Sequence, residues 1–475
     1  MTSPNFLYLH LASRFERMIE DDVLKVGDKL PSVRSLSKEQ GVSMSTAYQA
    51  YVELEKKGLI EARPKSGYYV RFSPKHARKT PNAAVPFVKE AVQDVEEMIK
   101  QVYGNLTHQD IIPFSVNMPA AELLPTAKLK KSVTEVLRKF PTESLLYGEV
   151  EGSFRLRTQI ARLAFNAGLA VSADEIIVSA GCIEAVKLAL IALTKPGDVV
   201  AVESPTFFGI TKTITELNRK VLEVPTHPET GVELEVLNQW IPEKKIRACV
   251  FVTNFSNPLG AIIPDEQKKR LVEIVDRHEV ILIENDIYGE LYFDTKRPMA
   301  CKSFDVNDSV VLCSSVSKNL APGYRVGWLI PGKHYEKVNK SLNHQTVSSL
   351  GQEVIAHFLE HSRYELHMRS LRKALHTQCL KYLQVIHDYF PDYVKVSQPR
   401  GGFVLWLELV DGVDTFEIFK RAIQEYISIA PGQLFSRQAN YSHFLRISFG
   451  MPFTKKVEQA LKRLGTIVHE VGMRQ

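Results

Sequence analysis

Short apolar runs alternate with helix-like segments from about residue 110 onward, and this alternation constrains the fold more than any other feature of the chain. The strand-like runs include residues 176–179, 199–203, 248–252, 280–284 and 310–314. Helical patterns such as 184–193 and 265–278 separate several of them. Strands joined by helical crossovers predict a mostly parallel α/β sheet with helices on both faces. Ligands of such sheets bind at the carboxyl ends of the strands.

Basic charge is concentrated at the N-terminus. Residues 1–80 contain 14 lysines and arginines and 9 aspartates and glutamates, whereas the remaining residues are almost neutral, with 46 basic and 45 acidic side chains. This asymmetry predicts a basic module for an anionic partner, although charge alone is more typical of a solvated surface.

Cysteine usage and hydropathy restrict the class of protein. The five cysteines are scattered and form no C-x-x-C pair, which favours a reduced, cytoplasmic protein without disulfides or a metal site. No apolar run approaches the roughly 18 residues that cross a bilayer, so we expect no membrane segment.

The first 72 residues have the pattern of a winged helix-turn-helix. Helical spacing of apolar residues begins at Leu11, Ser32 can cap a second helix, and Gly41 ends it. Ser43 begins a third helix, and Pro64-Lys65-Ser66-Gly67 forms the basic tip of a hairpin. The buried stripe of the third helix is predicted to be Ala47, Ala50, Tyr51 and Leu54. Its outward polar face near the N-terminus is predicted to carry Ser45, Thr46, Tyr48 and Gln49.

The stretch from Gly27 to Val70 resembles the DNA-binding domain of GntR-type transcription regulators. The resemblance implies that Arg34 and residues 43–46 face operator DNA, with Gly67 in the wing. The family often has arginines where this chain has Met44 and Tyr48. A small helical protein-interaction domain is the alternative, and the basic charge argues against it.

Composition divides the chain into four parts. Residues 73–87 are rich in proline, small and basic residues, which is typical of an extended linker. A helical pattern with apolar positions from Val88 and Val92 to Val102 follows it. We predict a DNA-binding domain at 1–72, a linker and connecting helix at 73–109, a large domain at 110–345 and a small C-terminal domain at 346–475.

The segment after the last predicted strand has the pattern of a site for a phosphorylated aldehyde. Lys318 lies between hydroxyl groups, and Arg325 follows seven residues later. The lysine amine can form a Schiff base, while Ser315, Ser317 and Arg325 can bind the phosphate. A surface lysine in a serine-rich loop is the alternative for this segment taken alone.

Other predicted strand ends carry groups that suit the same ligand. Gly181-Cys182-Ile183 opens a helix whose amides can bind a phosphate. Phe207 can stack on an aromatic ring, and Asn257 and Tyr288 can bond a phenolic oxygen.

Together these residues resemble fold-type I pyridoxal-phosphate (PLP) enzymes, the aspartate aminotransferase superfamily, over about residues 110–475. The resemblance implies that Lys318 holds PLP covalently and that Asn257 and Tyr288 bond its phenolic oxygen. It also implies that Tyr147 reaches the phosphate across a dimer interface. Arg446 is implied to bind the α-carboxylate of an amino compound, a task that suits its planar pair of donors.

The residue opposite the pyridine nitrogen departs from this family. The family has an aspartate three residues before the tyrosine, where this chain has Asn285, and Asp286 comes one position later. A carboxylate keeps the ring nitrogen protonated, and a neutral amide does not. Register favours Asn285, and a backbone shift that brings Asp286 to the nitrogen is the alternative.

A GntR-type module fused to a fold-type I body resembles the MocR-type subgroup of regulators. The resemblance implies a homodimeric transcription regulator that uses PLP to sense an amino compound. Transamination is a plausible accompanying activity. The alternative is a working aminotransferase whose DNA-binding module is secondary.

Overall fold

Three helices and a two-stranded hairpin form the N-terminal head. The computed structural model describes residues 7–63, 66–73, 78–83, 95–104, 110–343 and 346–473. The elements of the head (residues 7–73) are α1 (Leu7–Glu20), α2 (Val33–Gln40), α3 (Met44–Lys56), β1 (Ile60–Arg63) and β2 (Gly67–Val70). The hairpin is antiparallel and pairs Arg63 with Gly67 at its tip.

The third helix forms where the sequence predicts it. The Ser43 side chain accepts a hydrogen bond from the Thr46 N–H at 3.0 Å and so caps α3. Gly41 ends α2 with φ 63°, a left-handed conformation that favours glycine. The predicted stripe of α3 is fully buried: Ala47, Ala50, Tyr51 and Leu54. The expected winged helix-turn-helix is therefore confirmed.

The segment that connects the head to the body packs against the C-terminal part of the chain. It contains α4 (Val95–Gly104) and β3 (Ile112–Pro113), while Val88 and Val92 of the predicted helix lie outside the described residues. β3 pairs in parallel with residues 427–428. The start of the predicted large domain therefore packs against the predicted small one.

An eight-stranded sheet forms the centre of the body. Its strands are β4 (Ile177–Ser179), β5 (Val199–Ser204), β6 (Lys220–His227), β7 (Gly231–Val232), β8 (Ile246–Phe251), β9 (Ile281–Asn285), β10 (Val310–Ser315) and β11 (Gly327–Ile330). Their order is β4-β11-β10-β9-β8-β5-β6-β7. Only β11 and β7 run antiparallel to their neighbours. The predicted mostly parallel sheet is confirmed. The first and last residues of each predicted strand lie within two residues of those observed.

The helices of the body are α5 (Thr126–Lys139), α6 (Phe154–Asn166), α7 (Cys182–Leu193), α8 (Phe208–Glu216), α9 (Leu234–Glu243), α10 (Asp265–Arg277) and α11 (Tyr335–Lys340). Of these, α7, α8, α9 and α10 pack on the sheet, and α5, α6 and α11 pack on other helices. The next two helices, α12 (Ser349–His361) and α13 (Tyr364–Tyr389), lead into the C-terminal part. None of the described helices is long and apolar enough to cross a membrane.

The C-terminal part is a smaller α+β unit. Its remaining elements are β12 (Lys395–Val396), β13 (Val404–Glu408), α14 (Thr415–Gln424), β14 (Ile427–Ser428), β15 (Ala430–Pro431), β16 (Phe444–Ser448) and α15 (Lys455–Gly472). The sheet order is β12-β13-β16-β15, and all of its pairs are antiparallel. The 26 residues of α13 extend from the lysine-bearing segment of the body to the head.

Candidate functional site

Five parallel strands end at the same edge of the large sheet, and the predicted cofactor residues follow those ends. Gly181 follows β4, Phe207 follows β5, Asn257 follows β8, Tyr288 follows β9 and Lys318 follows β10. These positions span 138 residues of sequence, yet the strand order brings them to one edge of the sheet, which we call the cleft. The small C-terminal unit contributes Arg446 from β16.

The Lys318 amine lies inside this cleft and has an altered basicity. Its Nζ donates a hydrogen bond to the backbone carbonyl of Asn117 at 2.5 Å. Burial and the positive charges of Arg446 and Arg325 lower the pKa of Lys318 to about 8. A lysine with this pKa is partly neutral near physiological pH, and the neutral amine is the form that attacks an aldehyde.

Asn117 is a site residue that the sequence did not indicate. Its Nδ2 donates to the Tyr288 hydroxyl at 2.7 Å, while its buried Oδ1 has no partner. Burial raises the pKa of Tyr288, so this phenol stays protonated. Asn117 lies in an irregular segment after β3 that has no periodic pattern, and its position was visible only once the chain was folded.

Arg446 is fully buried, and its guanidinium faces Asn257. One terminal nitrogen donates to Asn257 Oδ1 at 3.1 Å, and the other donates to the Ser115 carbonyl. The Nε atom is buried without a partner, and the group lies 5.3 Å from the centre of the Phe435 ring. The predicted carboxylate-binding arginine therefore lies beside the predicted amide, with a donor still unused.

The end of the cleft near α7 is shaped for a phosphate. Gly181 has φ 105°, and a Cβ there would lie 2.5 Å from Arg325 Nη2, so only glycine leaves this space open. Arg325 donates to the Ala180 carbonyl at 2.9 Å. The Ser315 hydroxyl accepts from the Ser317 N–H at 3.2 Å, and the buried Ser317 hydroxyl has no partner.

The two residues proposed for the pyridine nitrogen have different surroundings. Asn285 Oδ1 lies 3.1 Å from the Cys182 sulfur, at the start of α7. Asp286 uses both of its carboxylate oxygens in protein contacts: one accepts from Asn254 Nδ2 at 2.8 Å, and the other pairs with Arg297.

Three other predicted cofactor residues lie at the margin of this arrangement. Ile183 is the second residue of α7 and is partly buried. Phe207 is half-buried before α8 and packs on Phe208, with ring centroids 4.5 Å apart. Tyr147 is 96% exposed, and its neighbours Leu145 and Leu146 are also exposed.

The predicted DNA-binding residues lie near the starts of α2 and α3 and on the hairpin. Arg34, Ser45 and Tyr48 are exposed, whereas the Ser43 and Thr46 hydroxyls bond each other at 2.8 Å. Gly67 has φ 110°, and Lys65 lies outside the described residues. The hairpin also carries Arg63, a cation that sequence reasoning missed. Its guanidinium lies 4.2 Å from the centre of the Tyr69 ring.

Helix α13 contacts both the lysine segment and the head. Near its start, His367 Nε2 is 2.7 Å from the Asn319 carbonyl, and Tyr364 accepts from Asn319 Nδ2 at 3.1 Å. Further along, Thr377 accepts two hydrogen bonds from Arg71 of the head, one of them at 3.1 Å to its hydroxyl. The residue that follows Lys318 is thus joined to the head by one helix.

Arg78 and Gly58 complete the contact between head and α13. Arg78, beyond the head, donates to four carbonyls: that of His387 in the last turn of α13 at 2.9 Å, and those of Phe390, Pro391 and Val394 just after the helix. A Cβ at Gly58 would lie 2.0 Å from Leu380 Cδ1, and the φ of Gly58 is 72°. Only glycine allows this close approach of head and helix.

Comparisons with known proteins agree with both halves of this structure. Residues 7–70 match the family model for bacterial regulatory proteins of the gntR family, and residues 109–464 match that for aminotransferase class I and II. The HTH-type transcriptional regulator YjiR of Escherichia coli is 37% identical over 470 residues, which cover 97% of this chain and 98% of the relative. The chain belongs to the MocR-type subgroup of GntR regulators.

Other relatives of this MocR-type regulator extend the same picture. The regulator YdcR of Escherichia coli is 36% identical, over 98% of this chain and 99% of the relative. Solved aminotransferases share the fold of the body. The multiple substrate aminotransferase of Thermococcus profundus has a TM-score of 0.74 at 22% identity, covering 82% of this chain and 97% of that one. LysN of Thermus thermophilus, complexed with N-(5'-phosphopyridoxyl)-L-leucine, has a TM-score of 0.72 at 23% identity, with coverages of 81% and 100%.

The cofactor of the aminotransferase fold is PLP, and the cleft of this MocR-type regulator fits it. Three buried polar atoms without protein partners belong to its residues: Ser317 Oγ, Asn117 Oδ1 and Arg446 Nε. The open space at Gly181 suits the phosphate, and the lowered pKa of Lys318 suits an aldehyde. When bound, PLP supplies an electrophilic carbonyl and an aromatic ring that withdraws electrons from an attached amino compound.

Proposed function

We propose that this transcription regulator binds PLP through Lys318 and senses an amino compound that carries a carboxylate. Arg446 supports the carboxylate assignment, because its buried Nε lacks a partner and guanidinium donors suit a planar anion. Asn257 and Tyr288 would hold the phenolic oxygen of PLP, and Phe207 would lie against its ring. Gly181, Cys182, Ile183, Ser315, Ser317 and Arg325 would hold its phosphate.

The observation that carries this proposal is the continuous contact from the lysine segment to the head through α13. Asn319, adjacent to Lys318, bonds residues near the start of that helix, and Arg71 of the head bonds Thr377 in its middle. Ligand binding changes DNA affinity only if the ligand binds two states of the protein differently. The helix provides one rigid element whose position both sites can affect.

We further propose that the protein acts as a homodimer in the cytoplasm. Tyr147 supports the dimer, since a tyrosine that is 96% exposed in one chain lies beside the exposed Leu145 and Leu146. A partner chain would cover this segment and bring the Tyr147 hydroxyl to its phosphate. Operator DNA as the partner and five free, buried cysteines support the cytoplasm.

In the head, Arg34, Ser45, Thr46 and Tyr48 would contact operator DNA, with Lys65 and Gly67 in the wing. Ser43 is assigned to capping α3 as well as to facing DNA, because its hydroxyl already accepts the Thr46 N–H.

The experiment compares operator binding by full-length protein that is cofactor-free, PLP-loaded, and PLP-loaded with added amino acids. We expect operator affinity to differ among these forms, and Lys318→Ala to lose the absorbance band of lysine-bound PLP together with that difference. Lys187→Ala, at a half-exposed lysine of α7 paired with Glu184, is the matched control. An unchanged spectrum in Lys318→Ala would remove Lys318 from its role.

A working aminotransferase is the second candidate. The presence of Lys318, Tyr288, Asn257 and Arg446 in one cleft favours it, because these residues also suit proton transfer at the carbon next to the amine. Mixing the PLP form with amino acids distinguishes the two functions. Conversion of the cofactor to its amine form supports the enzyme, and a stable spectral shift without that conversion supports the sensor.

A further inference from the structure

The floor of the cleft holds an amide whose orientation is fixed by its neighbours. Asn285 Oδ1 lies 3.1 Å from the Cys182 sulfur and accepts the Ile287 N–H at 3.3 Å. Burial raises the pKa of the Cys182 thiol, so the sulfur keeps its proton and acts as a donor. Two donors therefore face one atom, and that atom must be the amide oxygen.

The Asn285 nitrogen is consequently free for a ligand. Its Nδ2 donates no hydrogen bond to a protein acceptor among the described residues. Cys182, which touches Asn285, directly follows Gly181 at the start of α7, which places this contact at the phosphate end of the cleft. The side chain thus presents two N–H donors, and no acceptor, toward the site.

Asp286 does not offer an alternative partner. Successive residues of a strand face opposite sides, and β9 ends at Asn285. The Asp286 carboxylate pairs with Arg297 and accepts from Asn254, so both of its oxygens are occupied. A Cβ at Gly289 would lie 2.4 Å from Asp286 Oδ1, which shows how closely this carboxylate is enclosed. Bringing it to the cleft would leave Arg297 buried beside Glu290 alone.

The chemistry of PLP itself places its ring nitrogen near this floor. The nitrogen lies para to the carbon that carries the aldehyde, so an aldehyde at Lys318 points the nitrogen to the opposite side of the ring. A phosphate arm bound beside Gly181 would bring the same ring toward the start of α7, where Cys182 and Asn285 meet.

We infer that Asn285 donates a hydrogen bond from Nδ2 to an unprotonated pyridine nitrogen and thereby makes the body a sensor rather than an aminotransferase. The inference rests on PLP binding as proposed above. An amide donor needs an acceptor, and only the unprotonated nitrogen accepts, whereas a carboxylate would stabilise the protonated ring. The unprotonated ring withdraws electrons weakly, so a bound amino compound keeps its Cα proton and is retained unchanged.

The experiment uses full-length protein loaded with PLP that carries ¹⁵N in the ring, with the nitrogen chemical shift as the readout. We expect the shift of an unprotonated nitrogen at neutral pH in the wild type and of a protonated nitrogen in Asn285→Asp. Asn238→Asp is the matched control, since it makes the same change on α9, where Asn238 Oδ1 lies 3.0 Å from His278 Nε2. It should keep the wild-type shift.

A second measurement follows conversion of the bound cofactor by L-alanine. In this conversion the alanine nitrogen moves to the cofactor, the Cα proton moves to the former aldehyde carbon, and water supplies the oxygen of the departing 2-oxo acid. We expect the rate in Asn285→Asp to exceed the wild-type rate at least about tenfold, a barrier decrease of about 1.4 kcal/mol.

A protonated ring nitrogen in the wild type would overturn the inference, and so would an Asn285→Asp shift equal to that of the wild type. If the variant does not fold, the wild-type shift alone still decides the question. Absence of any PLP absorbance in the wild type would instead refute the proposed function, so the two failures can be told apart.

Discussion

Removing the Arg71 side chain should uncouple the head from the body. Arg71 donates to the hydroxyl and to the carbonyl of Thr377, and burial lowers the pKa of its guanidinium. Two hydrogen bonds from a charged group contribute roughly 3–6 kcal/mol. The buried Nε makes no hydrogen bond and is paired only at 3.9 Å with Glu61 Oε2 of the head itself, so its removal recovers about 1–2 kcal/mol of desolvation. We therefore expect Arg71→Ala to weaken docking by about 2–4 kcal/mol.

Lys373→Ala is the matched control at the same interface. Lys373 pairs with Glu55 of the head at 3.1 Å, but its side chain is 69% exposed. Exposed ion pairs contribute at most about 1 kcal/mol. The two variants each remove one positive charge between the same two units and differ mainly in burial.

The assay is operator binding by cofactor-free and PLP-loaded protein, expressed as the ratio of the two dissociation constants. A docking loss of about 2–4 kcal/mol corresponds to roughly thirtyfold to several hundredfold in the docking equilibrium. We expect the ratio to fall toward one in Arg71→Ala and to stay at the wild-type value in Lys373→Ala. Equal ratios in the two variants would show that docking on α13 does not carry the cofactor signal.

Three other predictions concern the cleft and the DNA-binding face. Asp286→Asn should lower the free energy of unfolding by about 2–4 kcal/mol, as measured by urea denaturation, because buried Arg297 loses a charged partner. The absorbance maximum of bound PLP should stay unchanged in this variant. Attachment of PLP should accelerate as pH rises through about 8, because Lys318 is protonated and non-nucleophilic below its lowered pKa; a stopped-flow rate that is flat through this pH would contradict the assignment. Arg34→Ala should weaken binding to operator and unrelated DNA alike and reduce the salt slope by about 1, as measured by fluorescence anisotropy.

Local patterns predicted the parts of the structure that local physics determines. The cap at Ser43 depends on the hydroxyl before the first turn, the stripe from Ala47 to Leu54 depends on helical period, and both are present. The predicted strand at residues 310–314 placed Lys318 just after a strand end. Assigning Lys318 to PLP also needed the resemblance to PLP enzymes, because residues that contact Lys318 are up to about 200 residues away in the sequence.

Other features depend on contacts that no local pattern encodes. Arg71 and Thr377 are 306 residues apart, and neither lies in a motif that indicates the other. Nothing in the sequence distinguishes Lys268 of α10 from a surface lysine. The structure shows that it is fully buried and donates to Asn254 Oδ1 at 2.8 Å. That bond orients Asn254 toward Asp286, so the assignment of Asp286 to a structural role required the packing of α10 against the sheet.

The length of α13 itself explains how two distant sites can share one equilibrium. Twenty-six helical residues span about 39 Å, far more than any single side chain reaches. The helix is held near its start by Asn319 and at its end by Arg78, so a shift at the cleft cannot be absorbed at a free terminus. A change in the Lys318 segment must then alter either the helix or its contact with Arg71. Because both contacts are hydrogen-bonded, we expect each state of the cleft to favour one position of the head.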